Sequence, residues 1–149
     1  MTPGADFGSY NNDAIVRCLA AVSRHDRPLF LKAAYNGPAA TEEIASYDPG
    51  NLIFGILGGS AGTTRDCLEL IRQAEKYGAR VALFGRKIYF AEDSVAMIKA
   101  MRRTIEEGLD SVEATKAYHA DLERVGVRPL RELTADLELT EEVLKAGLG

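Results

Sequence analysis

The stretch from Asn51 to Ile88 decides the fold of this chain. It reads Asn51-Leu-Ile-Phe-Gly-Ile-Leu57, then Gly58-Gly-Ser-Ala-Gly-Thr-Thr64, then an amphipathic run to Tyr77, then Ala79-Arg-Val-Ala-Leu-Phe-Gly-Arg86. An apolar run of strand length, a glycine-rich turn, a segment of helical periodicity and a second apolar run form the pattern of a βαβ unit. Ligands bind such units at the carboxyl ends of the parallel strands, so the chemistry is expected there.

The residues that follow these two strands are suited to holding an anion. Backbone N–H groups of Gly58, Gly59 and Ser60 can face outward at the first strand end, because glycine has no Cβ to prevent close approach. Gly85 and Arg86 follow the second strand, and a guanidinium suits a dianion. The pattern therefore predicts a phosphate site, although a tight turn with positive φ at the glycines is an alternative explanation.

A third apolar run, Leu29 to Tyr35, precedes this unit and contains one charged residue, Lys32. Its two alternating faces are otherwise apolar, which is typical of a parallel strand covered on each side. An amine in that setting is desolvated, and desolvation favours the neutral nucleophile that carbonyl addition requires. The alternative for Lys32 is a strand-end lysine that extends its ammonium to solvent.

The remaining segments predict helices and loops around these strands. Helical periodicity and capping residues mark each helix, and glycine or proline marks its end. A loop is predicted over 1–10. The predicted helices run from Asn12 or Asp13 to Ser23, from Thr41 to Tyr47, from about Asp93 to Gly108, from Asp110 to Arg124, and from Thr140 to the end. The apolar face of the helix from Asp93 to Gly108 is predicted to consist of Val95, Ile98, Met101 and Ile105.

Composition excludes several classes of function. The chain has 149 residues, 46% of them hydrophobic, and a net charge of −4 with lysines and arginines scattered, so one domain without a nucleic-acid surface is expected. It has no apolar run of membrane-spanning length and no leader, which predicts a cytoplasmic protein without a membrane partner. Cys18 and Cys67 are predicted to be buried free thiols, and His25 and His119 to be solvated. No metal or cofactor is expected.

Three motifs in order carry a resemblance to a known family. They are Leu31-Lys-Ala-Ala-Tyr-Asn-Gly37, the pair Gly58-Gly59 after a strand, and Phe84-Gly-Arg-Lys-Ile88 followed by Asp93-Ser-Val-Ala-Met97. Together they resemble the C-terminal half of the class I aldolases of the archaeal-type fructose-bisphosphate aldolase family, over about residues 28–106. The resemblance implies an α/β fold built from strands six, seven and eight of a TIM barrel. The expected organisation is a single domain, 1–149, with half-barrel βα units over 1–108 and a helical appendage over 109–149.

The resemblance also implies roles for individual residues. Lys32, in a Lys-x-x-Tyr setting with Tyr35, would be the catalytic lysine that forms a Schiff base, and Tyr35 would either donate a proton or pack at the rim. The Gly-Gly and Gly-Arg turns would hold the phosphate of a small phosphorylated ketose or aldehyde. The implied function is a lyase of the aldolase type, and the alternative is a non-catalytic phosphometabolite-binding module or a remnant of such an enzyme.

A half barrel would leave two strand edges and an apolar inner face uncovered. That face is expected to carry Phe30, Ala34, Ile56 and Leu83, which predicts a homo-oligomer or a partner that supplies the missing half. Asp6 and Tyr10 are candidates for the missing acid–base groups. The competing architecture is a small open doubly wound sheet, whose strand order contains a reversal that a barrel lacks.

Overall fold

A computed structural model of the chain describes residues 7–58 and 62–148, with side chains from Tyr10 onward. The described residues form a mixed α/β protein with a small parallel sheet, and they divide into two compact units. The first unit comprises the described part of Met1–Leu57 together with Ala74–Ala82, and the second comprises the described part of Gly58–Gln73 and Leu83–Gly149. The single-domain prediction stays a prediction.

The helices and strands follow one another in the predicted sequence, with two short helices added. Their bounds are α1 Phe7–Ala20, β1 Phe30–Ala33, α2 Pro38–Tyr47, β2 Ile53–Leu57, α3 Thr64–Lys76, β3 Val81–Leu83, α4 Gly85–Tyr89, α5 Ser94–Glu106, α6 Ser111–Arg124, α7 Leu133–Asp136 and α8 Glu142–Lys145, followed by a 3-10 turn at Ala146–Leu148.

The sheet has the order β1-β2-β3, and β1 pairs with β2 in parallel. All three predicted strands are confirmed, each shorter than its apolar run, and the described strands contain no reversal of order. The predicted α/β class is therefore confirmed. The half barrel stays a prediction.

The two faces of the sheet differ, because one is covered and the other is open. On the covered face Phe54 and Ile56 are each 1% exposed, and α2 packs against β2. Phe30 pairs with Ile53 in register, so alternation places Ile53, not Ile56, on the open face with Phe30. The expectation that Ile56 belongs to the open face is wrong for this reason.

The expectation that the β1 strand is covered on both sides is also wrong. Its residues alternate between exposed and partly buried, and Lys32 is exposed. Large apolar residues of the open face keep between a third and a half of their surface accessible: Phe30 41%, Ile53 45%, Leu57 40% and Val81 36%. The apolar character of both faces was visible in the sequence, but whether a second layer covers a face was not.

Helix α1 begins earlier than predicted, so the loop expected through Tyr10 is wrong from Phe7 onward. Asn12 does not cap the helix. It is fully buried within it and uses its amide to join other parts of the first unit. Cys18 is exposed on this helix, which contradicts the predicted buried thiol, whereas Cys67 on α3 is buried as predicted.

The second unit is centred on the antiparallel pair α5 and α6. Asp93 caps α5 by accepting from the Ala96 N–H at 2.6 Å, and the predicted cap Asp110 accepts from two N–H groups at the start of α6. Gly108 has φ 68°, a conformation that glycine adopts without strain, and it ends the α5 segment as predicted. The core cluster consists of Leu68, Ala96, Met97, Ala100, Ala114, Tyr118 and Leu122.

The buried face of α5 differs from the predicted one. Val95, Ile98 and Ile105 are exposed, and α5 buries Ala96, Met97, Ala100 and Thr104 instead. Small residues on the buried stripe allow helices to approach each other closely. Met101, the fourth residue of the predicted face, is partly buried and packs against the core as predicted. Val95, Ile98 and Ile105 remain exposed in the described part of the chain.

Candidate functional site

Lys32 lies in the middle of β1 on the open face of the sheet, opposite Gly55 of β2. Its neighbours on that face are apolar and half exposed. An amine in this position is reached easily from solvent in the described chain. A layer placed over this face would transfer it to apolar surroundings.

Gly55 matters because the Phe30 ring lies over it. A Cβ on Gly55 would stand 2.8 Å from the Phe30 Cζ atom and 3.3 Å from the carbonyl oxygen of Val81. Glycine is therefore required for this ring to rest on the sheet beside Lys32. The ring forms an apolar wall next to the amine.

Side-chain amides fix the chain as it leaves β1. Asn36 donates from Nδ2 to the Asn12 Oδ1 at 2.8 Å, and Asn12 donates from Nδ2 to the carbonyl oxygen of Ala40 at 2.5 Å. Tyr35 is 7% exposed and belongs to the core of the first unit. Burial agrees with the packing alternative for Tyr35, and its catalytic role stays a prediction. The sequence predicted that the strand ends at Asn36, but it did not predict the hydrogen bond between the Asn36 and Asn12 side chains.

A groove of about 620 Å³ runs between α1 and β1 and includes Lys32 in its lining. Its lining includes Cys18 and Leu19 of α1, Val22 just after the helix, and Asn36 after β1. The volume is in the range of small-molecule pockets. Lys32 can therefore be approached both from the open face and from this groove.

Gly58, in the second unit, directly follows β2 and donates its N–H to the carbonyl oxygen of Leu83 at 3.1 Å. It does not have a positive φ. A Cβ at this position would meet the Phe84 ring and would stand 2.9 Å from the Phe84 Cα atom. The close approach of Phe84, and not a turn conformation, explains this glycine.

We expect Gly58→Ala to destabilise the protein by about 1–3 kcal/mol, because the new methyl group would overlap Phe84 and its backbone. Chemical denaturation of the purified variant would measure the change. Gly85→Ala is the matched control, since nothing lies within 4 Å of a Cβ built there and the residue is helical. Equal destabilisation by both substitutions would contradict this account of Gly58.

Gly85 and Arg86 open the short helix α4, so the predicted Gly-Arg turn is in fact the start of a helix. Both residues are exposed. Among the residues that the structure describes, Arg86 has no ion-pair partner. Its side chain is exposed, and its predicted role in a phosphate site stays a prediction.

Lys87 is a second cation at this position that sequence reasoning missed. Its ammonium donates to the carbonyl oxygens of Gly62 and Thr63, at 3.2 Å each, and is partly buried. Lys87 thus ties α4 to the end of the glycine-rich turn. The adjacent Arg86-Lys87 pair was the available signal, because successive helical residues point in different directions.

The first backbone N–H groups of α3 are bound by carboxylates of the chain itself. Asp66 accepts from the Thr63 N–H at 2.9 Å while the Thr63 hydroxyl accepts from the Asp66 N–H, which is a capping box. Asp136, on α7, accepts from the Thr64 N–H at 2.7 Å. A phosphate at the glycine-rich turn would therefore have to use groups other than these two.

Asp66 also binds the C-terminal segment. It accepts from the Thr140 N–H at 2.8 Å, from the Thr140 hydroxyl at 2.6 Å and from the Glu141 N–H at 3.3 Å. Burial alone would raise the pKa of Asp66, but the hydrogen bonds from Thr140, Thr63 and Glu141 outweigh it and lower the pKa below its ordinary value. The carboxylate is charged and structural here.

His119 is one of the partners of this network, which corrects the prediction that it is solvated. Its side chain is 11% exposed and its Nε2 lies 2.9 Å from Asp136 Oδ2. His25 is exposed, as predicted. The sequence placed His119 in polar surroundings but could not show that α7 returns to it.

The other predicted residues contribute less to a site. Tyr10 is 69% exposed on α1. Gly59 and Ser60, both assigned to the phosphate site, lie outside the described residues, as does Asp6. Of the residues predicted for a phosphate site, the structure thus places Gly58, Gly85 and Arg86, and Lys87 follows Arg86 on α4.

Comparison with known proteins adds no identification. No protein-family model matches the chain, and no curated protein matches it significantly. Within residues 7–58 and 62–148, no cluster of three or more His, Cys, Asp and Glu side chains could hold a metal ion. No described helix combines the length and the apolar character needed to cross a membrane.

Proposed function

We propose that this chain is part of a class I aldolase-like lyase that forms a Schiff base between Lys32 and a phosphorylated ketose or aldehyde. One observation carries the proposal. Lys32 stands on the open face of a parallel sheet with the strand order β1-β2-β3, surrounded by half-exposed apolar side chains. In a barrel of βα units this face would be the inner one.

The chemistry requires an uncharged amine. Nitrogen adds to the substrate carbonyl, water is lost, and the protonated imine then accepts the electron pair of the carbon–carbon bond that breaks. A cover over the open face would remove water from Lys32 and favour the neutral amine. Full competence therefore depends on a homo-oligomer or on a partner that supplies the rest of the barrel.

Exposed apolar residues elsewhere support such a partner. Val95, Ile98 and Ile105 follow one another at helical spacing on α5 and are 60%, 42% and 43% exposed. Contiguous apolar patches on proteins mark interaction surfaces more often than single exposed residues do. A cytoplasmic location belongs to the same proposal, because Cys18 and Cys67 are free thiols.

The phosphate is assigned to Arg86, with Gly85 allowing close approach, because nothing lies within 4 Å of a Cβ built at Gly85. The Gly58 N–H is already bonded to the carbonyl oxygen of Leu83. Lys32 belongs to the first unit and Arg86 to the second. The role of each residue is proposed from its contacts and exposure within its own unit. Because the Thr63 and Thr64 N–H groups are already bonded, a charged side chain has to provide most of the attraction.

Borohydride trapping tests the proposal. The full chain is incubated with dihydroxyacetone phosphate and sodium borohydride, digested, and mapped by mass spectrometry. We expect a reduced adduct on Lys32. Adducts on other lysines alone, or no adduct on a folded and assembled sample, would remove Lys32 from the mechanism.

A second candidate function is a non-catalytic phosphometabolite-binding module, or a remnant that keeps a phosphate site. The guanidinium of Arg86 favours it as well, because it is exposed, has no ion-pair partner among the described residues, and anion binding needs no imine. Retention of phosphate binding by a chain that shows no adduct would place this candidate first.

We expect Arg86→Ala to weaken the binding of inorganic phosphate by the second unit, by roughly 2–3 kcal/mol if a charge-assisted bidentate contact is lost. Isothermal titration calorimetry of the full chain with phosphate measures the affinity. Arg131→Ala, which removes another exposed arginine of the second unit, should leave the affinity unchanged. An equal effect of both variants would show that only net charge matters and would refute a specific contact at Arg86.

A further inference from the structure

The outer edge of β1 carries unpaired backbone groups among the described strands. The Ile53 N–H donates to the carbonyl oxygen of Leu29 at 2.8 Å. In a parallel ladder successive residues direct their backbone groups to opposite sides, so Leu31 and Ala33 face β2 as Leu29 does. The N–H and C=O groups of Lys32 and Ala34 consequently point away from β2, toward the groove beside α1.

The shape of this groove follows the backbone of the strand. Four consecutive residues, 31–34, line it, although alternate side chains of a strand point to opposite faces. A strand residue occupies roughly 160 Å³, from a rise of about 3.3 Å, a strand spacing of about 4.8 Å and a layer of about 10 Å. The groove volume of about 620 Å³ therefore leaves room for a strand of four residues, the length of β1.

The walls of the groove define the chemistry of its occupant. Ile15 and Leu19 of α1, with Val22 just after the helix, are apolar residues of the lining. Among the described lining residues only Lys32 is charged, so an acidic side chain beside it would be favoured. The β1 edge of a second copy would instead place Lys32 opposite a like charge.

We propose that this groove accepts an extended segment of another polypeptide, which adds to the sheet as a strand parallel to β1. Its apolar side chains face α1, and an acidic side chain lies beside Lys32. Main-chain hydrogen bonds supply the attraction, as in other cases of strand addition to a sheet edge. This inference concerns the backbone edge and holds whether or not Lys32 forms an imine.

Alkylation of Cys18 provides the test, because this exposed thiol lines the groove. Burial raises the pKa of the Cys67 thiol to about 12, so its lack of reaction reports that the protein stays folded. The probe is acetyl-Thr-Val-Glu-Val-Glu-Val-Thr-amide, added to the full chain. We expect alkylation of Cys18 to slow by about tenfold at saturating peptide, with new hydrogen-exchange protection at the Lys32 and Ala34 amides.

N-methylated peptides are matched controls for the hydrogen bonds. In a parallel strand the residues that face α1 direct their N–H groups toward β1, so N-methylation of the valines should abolish protection. N-methylation of the two glutamates should leave protection intact, because those N–H groups face outward. A peptide with lysine in place of both glutamates should bind more weakly.

Three results would overturn the proposal. If the alkylation rate of Cys18 is the same with every peptide as without peptide, while Cys67 stays unreactive, the groove does not bind a strand. Protection lost on N-methylation of the glutamates instead of the valines would show an antiparallel strand. Protection that grows with protein concentration and needs no peptide would show that a second copy occupies the groove.

Discussion

Lys32→Met is expected to abolish the borohydride-stabilised adduct with dihydroxyacetone phosphate completely. An imine needs a primary amine, and methionine keeps the length of the side chain without the nitrogen. Lys32 is exposed on the open face and no ion pair holds it among the described residues, so the substitution should leave the fold intact. Intact-mass measurement after reduction gives the adduct yield for both proteins.

A matched lysine makes this test specific. Lys99, on α5, is exposed as Lys32 is, and Lys99→Met should leave the yield unchanged. Phosphate binding by Lys32→Met should remain close to that of the unsubstituted chain, because the guanidinium of Arg86 is retained. Equal loss of adduct in both variants would indicate non-selective modification of surface amines and would contradict a Schiff-base role for Lys32.

Strand positions could be predicted from the sequence, while burial could not. Leu29 to Tyr35 and Asn51 to Leu57 are apolar runs bounded by proline and glycine, and both became strands. Coverage of a face depends on which other chain elements pack there, and no local pattern contains that information. Lys32 was therefore placed on the right strand but in the wrong environment.

The same limit explains the helix α5. Of its predicted apolar face, Met101 packs against the core, whereas Val95, Ile98 and Ile105 are exposed and the contact is completed by Met97 and Ala100. Which residues of a helix are buried depends on how its surface fits the surface of the neighbouring helix. The sequence of the helix alone does not contain the shape of that neighbouring surface. Val95, Ile98 and Ile105 stay exposed because other residues of α5 face the core.

Hydrogen bonds between segments that are distant in the chain could not be predicted from the sequence either. Thr63 and Asp66 form a capping box three residues apart, a pattern that can be recognised locally. The bonds from Thr140 to Asp66 and from the Thr64 N–H to Asp136 span more than 70 residues. The C-terminal segment was predicted as an appendage packed on the main layer, and these bonds show how it is held in the second unit.

Asp66→Ala is expected to lower the free energy of unfolding by about 2–4 kcal/mol. The substitution leaves the buried Thr63 N–H without its acceptor, and it removes the charge-assisted hydrogen bonds that the exposed residues Thr140 and Glu141 donate. Urea denaturation with a tryptophan-free readout such as far-UV circular dichroism measures the loss. Glu113→Ala, which removes only an exposed pair with Lys116, should produce a much smaller change. Similar losses in both variants would contradict a structural role for Asp66.

The same carboxylate predicts how stability depends on pH. Its pKa is lowered in the folded protein from an ordinary value of 3.8, so its stabilising contribution is fully present above that value and is lost as pH falls through the folded pKa. The unsubstituted chain should lose stability steeply below pH 3.8, and Asp66→Ala should lose less over the same interval. Hydrogen exchange at the Thr140 and Glu141 amides should rise in the same interval, because protonated Asp66 accepts from them more weakly. Parallel pH profiles for the two proteins would show that Asp66 does not hold the C-terminal segment to the start of α3.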